Sequence, residues 1–137
     1  LGDVQVICDI TQVKGERFMT QEEKNVQLLW QWMGEGRWDQ VAVLFEEDAK
    51  IFWPNTEEEF DVPTYIRINK HYPGTWILMV MDIQKYNRDV VSVVKIEGKN
   101  AVLYAISFFA FKDGKIIMIR EYFAENGPIP DWRKKDQ

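Results

Sequence analysis

Cysteine and histidine are nearly missing from this chain, with Cys8 and His71 the sole examples in 137 residues. One cysteine excludes an internal disulfide and fits a reducing, cytoplasmic setting. One histidine without cysteine partners leaves no His- or Cys-based metal site to expect. Apolar runs are short, and none approaches the roughly 20 residues of a membrane span. There is no Gly-rich phosphate loop, hence no cofactor expectation, and no Ser, Cys or Thr stands beside a base as an activated nucleophile. Positive charge is also scarce: 17 Lys and Arg face 22 Asp and Glu, for a net charge of −5. Nucleic-acid binding requires clustered cations to neutralise phosphates, so neither nucleic acid nor membrane is an expected partner. The run Arg133-Lys134-Lys135 reads as a solvated tail.

Aromatic residues are plentiful, with six Trp, eight Phe and five Tyr. Such side chains bury large areas and serve equally as core filler or as pocket walls. A chain of this length and a 46% apolar content suit one soluble domain with a real core.

The local signals divide the chain in two. Residues 1–18 form an N-terminal extension, and Met19-Thr20 reads as a natural start for a single domain over 19–137. Asp3 and Asp9 interrupt the extension, so a secretory leader is not expected. Val4, Val6, Cys8 and Ile10 alternate with Gln5, Ile7 and Asp9, the pattern of a strand added to a sheet edge or packed on a partner. Thr20-Gln21-Glu22-Glu23 is a capping box, because Thr20 and Glu23 can each accept from the other's backbone N–H. Val26, Leu29, Trp30 and Met33 follow at helical spacing, and Gly34 and Gly36 end the run. Trp38, Val41, Ala42 and Phe45 make the stripe of a second helix. A short extended piece over residues 48–53 stops at Pro54. The acidic run Glu57-Glu58-Glu59 reads as a solvated loop. Asp61 caps a third helix over 62–70, with Pro63 tolerated in its first turn.

From Thr75 the period becomes two, giving strands near 75–86, 90–96, 101–111 and 116–123. Asn87-Arg88-Asp89, Gly98-Lys99 and Asp113-Gly114 supply the reversals, and Asp-Gly is a strong signal for a two-residue hairpin. Helices followed by an antiparallel meander make an α+β domain. If Asp113 and Gly114 form the loop, Phe108 pairs with Ile119 and Ile106 with Glu121. Tyr104, Ile106 and Phe108 then share a face with Ile119, Glu121 and Phe123. Both sheet faces are apolar and the helices cover only one, so a homodimer through the other face is expected.

Several of these segments resemble a known family in their order and spacing. Gly36-Arg37-Trp38-Asp39, Phe45-Glu46-Glu47-Asp48-Ala49 and Trp53-Pro54-Asn55-Thr56 are similar to the front half of SnoaL-like proteins of the nuclear transport factor 2-like superfamily. Ser107-Phe108-Phe109, Asp113-Gly114-Lys115-Ile116 and Arg120-Glu121-Tyr122-Phe123 are similar to the rear half. The resemblance spans most of residues 20–133. It implies a cone-shaped α+β (cystatin-like) fold in which three N-terminal helices pack on a bent antiparallel sheet around a deep pocket, with frequent dimerisation. It also implies a range of activities, from isomerases, dehydratases, cyclases and hydrolases to non-catalytic binding or assembly modules. Fold alone selects none of them. Ketosteroid isomerase-like members carry an Asp base before a Pro on the short strand after the second helix, where this chain has Trp53 before Pro54. Epoxide hydrolase-like members use an Arg and two Asp, and Glu121 matches the one in the last strand.

Glu121 is therefore the first candidate for general acid/base catalysis, since burial among apolar groups raises a carboxyl pKa toward useful values. A structural glutamate tied to helix N–H groups or an arginine explains the same position. The donors expected near it are His71, Tyr65, Tyr104 and Trp53. His71, at the end of the third helix, is the second catalytic candidate if it faces the pocket; otherwise it caps carbonyls or meets solvent. Trp53, Tyr65, Trp76, Tyr104 and Phe123 are the candidate walls for a small apolar ligand. The tail Gly127-Pro128-Ile129-Pro130, with Trp132 beyond it, is expected to fold back on the body.

Overall fold

The computed structural model describes residues 3–8, as backbone, and 19–136. Its helices are α1 (Gln21–Glu35), α2 (Trp38–Val43) and α3 (Val62–Lys70). Its strands are β1 (Asp3–Cys8), β2 (Phe45–Trp53), β3 (Glu58–Asp61), β4 (Thr75–Tyr86), β5 (Asp89–Glu97), β6 (Val102–Lys112) and β7 (Lys115–Glu125). The seven strands form one curved sheet in the order β1-β4-β5-β6-β7-β2-β3.

The local chemistry accounts for the helix ends. Thr20 Oγ1 accepts from the Glu23 N–H at 3.2 Å while Glu23 Oε1 accepts from the Thr20 N–H at 3.0 Å, the reciprocal capping box. Gly36 closes α1 in the left-handed conformation at φ 72°, which costs glycine nothing. The Asp61 carboxylate accepts from the Thr64 N–H at 2.9 Å, and hydrogen bonding from the Thr64 side chain and then its backbone holds the Asp61 pKa below the usual value. α2 is shorter than its stripe suggests: the chain leaves the helix after Val43, and Phe45 begins β2.

Strands β4 to β7 are the expected antiparallel meander. The sheet as a whole is mixed, because β1 runs parallel to β4 at one edge and β2 parallel to β7 near the other. Of the extended stretch read over residues 4–10, positions 9 and 10 lie outside the described residues; Val4 to Cys8 pair with Trp76 to Val80. Glu58 and Glu59, read as solvated loop, instead pair with Trp53 and Phe52 as part of β3. Both side chains are still exposed, so the backbone ladder and buried Phe60 hold this edge.

The main correction concerns register. Asp113 and Gly114 do form the β6–β7 loop, with positive φ at both positions and Lys112 opposite Lys115. A bulge then places one extra residue on β7, so that Phe111 pairs with Ile116 but Ala110 pairs with Met118. Beyond it Phe109 faces Ile119, Ser107 faces Glu121 and Ala105 faces Phe123. Glu121 therefore shares its face with Ala105, Ser107 and Phe109, all fully buried under the helices. Tyr104, Ile106 and Phe108 sit on the opposite, outer face, each only half-buried. There the Arg120 guanidinium lies 4.5 Å from the Phe108 ring centroid and donates to the Tyr122 hydroxyl at 2.9 Å.

The core between helices and sheet is continuous. Val26, Leu29, Trp30 and Met33 of α1 pack with Leu78, Val80 and Ile83 of β4, Val90 and Val94 of β5, and Ile119 of β7. The tail corrects another expectation: after Pro130 the chain forms a 3₁₀ helix (Asp131–Asp136) whose Trp132 is 75% exposed. Arg133 covers one side of that ring, and the flanking charges favour water over a docked position.

Candidate functional site

Four elements converge on Glu121. Its own strand, β7, lies beside β6, which carries Ser107 opposite it, and beside parallel β2 on the other side. β2 ends at Trp53, level with Glu121, because Pro54 terminates the strand there and starts the four-residue loop to β3. α3 brings Tyr65 across the same spot. The Trp53 indole N–H donates to Glu121 Oε1 at 3.0 Å, and the Tyr65 hydroxyl donates to the same oxygen at 3.4 Å. The Ser107 hydroxyl donates to Oε2 at 2.5 Å.

Glu121 is 2% exposed, and burial raises its pKa above the ordinary carboxylate value. The bonds from Ser107, Trp53 and Tyr65 act in the opposite direction by favouring the anion, and burial outweighs them. The Tyr65 phenol is driven well above its usual range, first by its own burial and then by the charge of Glu121. The result is a carboxyl held in one orientation by three side-chain donors, with its proton affinity increased.

This carboxyl lies at the floor of a cavity of about 560 Å³. Trp30 and Ile96 extend the floor, Trp53, Trp76, Leu103 and Phe123 form walls, and the exposed Asn55, Thr56, Glu58 and Glu125 mark the mouth. The aromatic walls are braced edge to face: Trp53 meets Phe123 with centroids 5.2 Å apart, and Tyr72 meets Trp76 at 5.8 Å. Trp76 is further fixed by its N–H bond to the Pro73 carbonyl at 2.8 Å and by Gly98, where a Cβ would come within 2.6 Å of the indole. At the mouth, the Asn55 side chain both donates to the Phe123 carbonyl and accepts from the Phe123 N–H, tying the β2–β3 loop to β7.

Of the residues singled out in the sequence, Glu121, Trp53, Tyr65, Trp76 and Phe123 line this cavity. His71 does not: it is the C-terminal cap of α3 and is exposed. Tyr104 lies on the other sheet face for the register reason given above. Sequence reasoning missed Ser107 and, among the lining residues, Asn69 and Tyr72. A hydroxyl in the middle of an apolar strand was the available signal for Ser107, since a buried hydroxyl seeks a partner.

No family model matches this chain, and no curated protein matches its sequence significantly. Solved structures do match in shape. A candidate ketosteroid isomerase from Kribbella flavida superposes with a TM-score of 0.75 at 22% identity, covering 84% of this chain and 86% of that one. An NTF-2-like protein of unknown function from Burkholderia xenovorans gives 0.73 at 21% identity, over 84% and 91%. The chain has the nuclear transport factor 2-like fold. A candidate SnoaL-like polyketide cyclase from Shewanella putrefaciens shares it at a TM-score of 0.65 and 9% identity, over 77% and 91%. At such identities the likeness establishes architecture, and chemistry has to be argued from the cavity.

Proposed function

We propose that this protein binds a small, largely apolar organic molecule in the cavity and that Glu121 serves as its general acid/base. The observation that carries the reading is a fully buried carboxyl, raised in pKa, at the floor of an open aromatic pocket. A group with proton affinity nearer neutrality exchanges protons with substrate more readily than an ordinary carboxylate. The reaction class is proton transfer, as in isomerisation, cyclisation, dehydration or hydrolysis. Ser107, Trp53 and Tyr65 hold the carboxyl in place without taking part in bond making. The single cysteine suits a cytoplasmic setting for such an enzyme.

A second reading, a non-catalytic binding or assembly module, draws support from the same hydrogen bonds. Both Glu121 oxygens already have side-chain donors, and Trp53 occupies the position before Pro54 where an isomerase-like member would carry its base. Glu121→Gln separates the two. The glutamine oxygen can accept from Trp53 and Tyr65 while its amide faces the Ser107 hydroxyl, so the fold and binding should persist. Loss of turnover with binding retained supports catalysis, whereas unchanged turnover overturns the acid/base role.

We further propose that a second copy of the chain covers the outer sheet face. Tyr104, Ile106, Phe108, Met118 and Tyr122 share that face as half-buried side chains around Arg120. Sedimentation should show a dimer, with Ile106→Glu shifting it to monomer; a monodisperse wild-type monomer contradicts the assembly.

A further inference from the structure

We propose that the molecule bound in this cavity is an organic cation, an ammonium ion carried on an apolar body. The inference rests on the small-molecule pocket proposed above and assigns its ligand class.

Two features of the lining point this way. The first is its charge. Glu58, Glu121 and Glu125 border the cavity, while no Lys, Arg or His does so among the described residues, although the chain has 17 Lys and Arg. A carboxylate or phosphate ligand would meet no countercharge inside and two exposed glutamates at the mouth.

The second is the shortage of hydrogen-bond donors. Each of the three indoles in the lining has already committed its N–H: Trp30 to Ser92 Oγ at 3.1 Å, Trp53 to Glu121, and Trp76 to the Pro73 carbonyl. The Tyr65 hydroxyl donates to Glu121, and the Asn69 amide gives one of its two N–H groups to the Tyr65 carbonyl at 2.9 Å. At the mouth the Asn55 amide gives one to the Phe123 carbonyl, and the Thr56 hydroxyl donates to the Trp53 carbonyl. An indole N–H is that ring's only donor, so these tryptophans offer a ligand their π faces alone. Tyr72 retains a hydroxyl beside them. Six aromatic side chains, Trp30, Trp53, Tyr65, Tyr72, Trp76 and Phe123, thus surround a space poor in donors and bordered by carboxylates. Ring faces carry negative quadrupole density and attract ammonium groups, most strongly for Trp and most effectively away from water. A ligand that depends on accepting hydrogen bonds finds few here, while one that brings positive charge gains from the walls and the mouth together.

The test compares isosteres on the intact protein. Benzyltrimethylammonium, neopentylbenzene and 3-phenylpropanoate share a similar size and carry positive, zero and negative charge. Binding is followed by indole fluorescence and calorimetry, at low and at high salt. The cation should bind at least about tenfold more tightly than the hydrocarbon, and the anion more weakly than either. The preference should survive high salt, since attraction inside the pocket is screened less than attraction at the surface. Glu125→Gln, at an exposed position, should weaken the cation by a few-fold and leave the hydrocarbon unchanged. Equal or tighter binding of the hydrocarbon, or a preference that vanishes with salt, overturns the cation assignment and leaves the apolar pocket standing. Failure of all three probes to bind counts against both the assignment and the pocket reading beneath it.

Discussion

Ser107→Ala removes one hydroxyl from a fully buried position and leaves the β6–β7 ladder intact. Ser107 is 0% exposed and donates to Glu121 Oε2 at 2.5 Å, so water has no ready route to replace it. A hydrogen bond to a charged acceptor contributes about 1.5–3 kcal/mol. Because the anion loses more from its removal than the neutral acid does, the substitution should raise the Glu121 midpoint further. The sign for stability follows. Glu121 already has a folded pKa above the ordinary 4.5, so the folded protein binds its proton more tightly than the unfolded chain does. The stability that this contributes is present below about pH 4.5 and is lost as pH rises through the folded value. In the variant the loss continues to higher pH. Ser107→Ala should therefore cost about 1 kcal/mol in acid, where a neutral hydrogen bond is lost, and toward 3 kcal/mol above the new midpoint. Carbon-13 NMR of the glutamate side-chain carboxyls gives the midpoint directly, and urea denaturation at several pH values gives the energies. An unchanged or lowered midpoint, or a destabilisation independent of pH, would refute the reasoning.

Two further variants test the scaffold around the site. Gly98→Ala places a methyl group 2.6 Å from the rigid Trp76 indole, which is also held through its N–H. We expect a cost of about 1–3 kcal/mol and altered tryptophan fluorescence as the ring moves; wild-type stability would show that Trp76 is not fixed there. Thr20→Ala removes half of the α1 capping box and should cost about 0.5–2 kcal/mol, lowering the melting midpoint by a few degrees without affecting ligand binding. A variant that melts with the wild type would show the cap to be energetically silent.

The parts of the fold that were legible in the sequence are those fixed by local chemistry. The Thr20–Glu23 box, Gly36, the Asp61 cap and the Asp113-Gly114 turn each satisfy a backbone requirement within a few residues, so composition alone reveals them. What stayed hidden depends on contacts remote in sequence. Ile116, Ile117, Met118 and Ile119 are all apolar, so alternation carries no phase information there, and the bulge that shifts the register leaves no mark. That single residue moved Tyr104 and Phe108 to the outer face and brought Ser107 to Glu121. β3 was obscured by its glutamates, because an edge strand can be acidic and still pair through its backbone. Glu121 was legible as a lone acid in an apolar strand. Trp53 and Tyr65 were legible as its donors, but the turn at the end of α3 set His71 facing solvent.

The most direct test of the central claim is a crystallographic fragment soak. Aromatic fragments with and without an ammonium group should appear between Trp30, Trp53 and Trp76, in contact with the Glu121 carboxyl. A crystal structure in which these indoles close over Glu121, leaving the cavity filled by side chains and closed to every fragment, would contradict the claim.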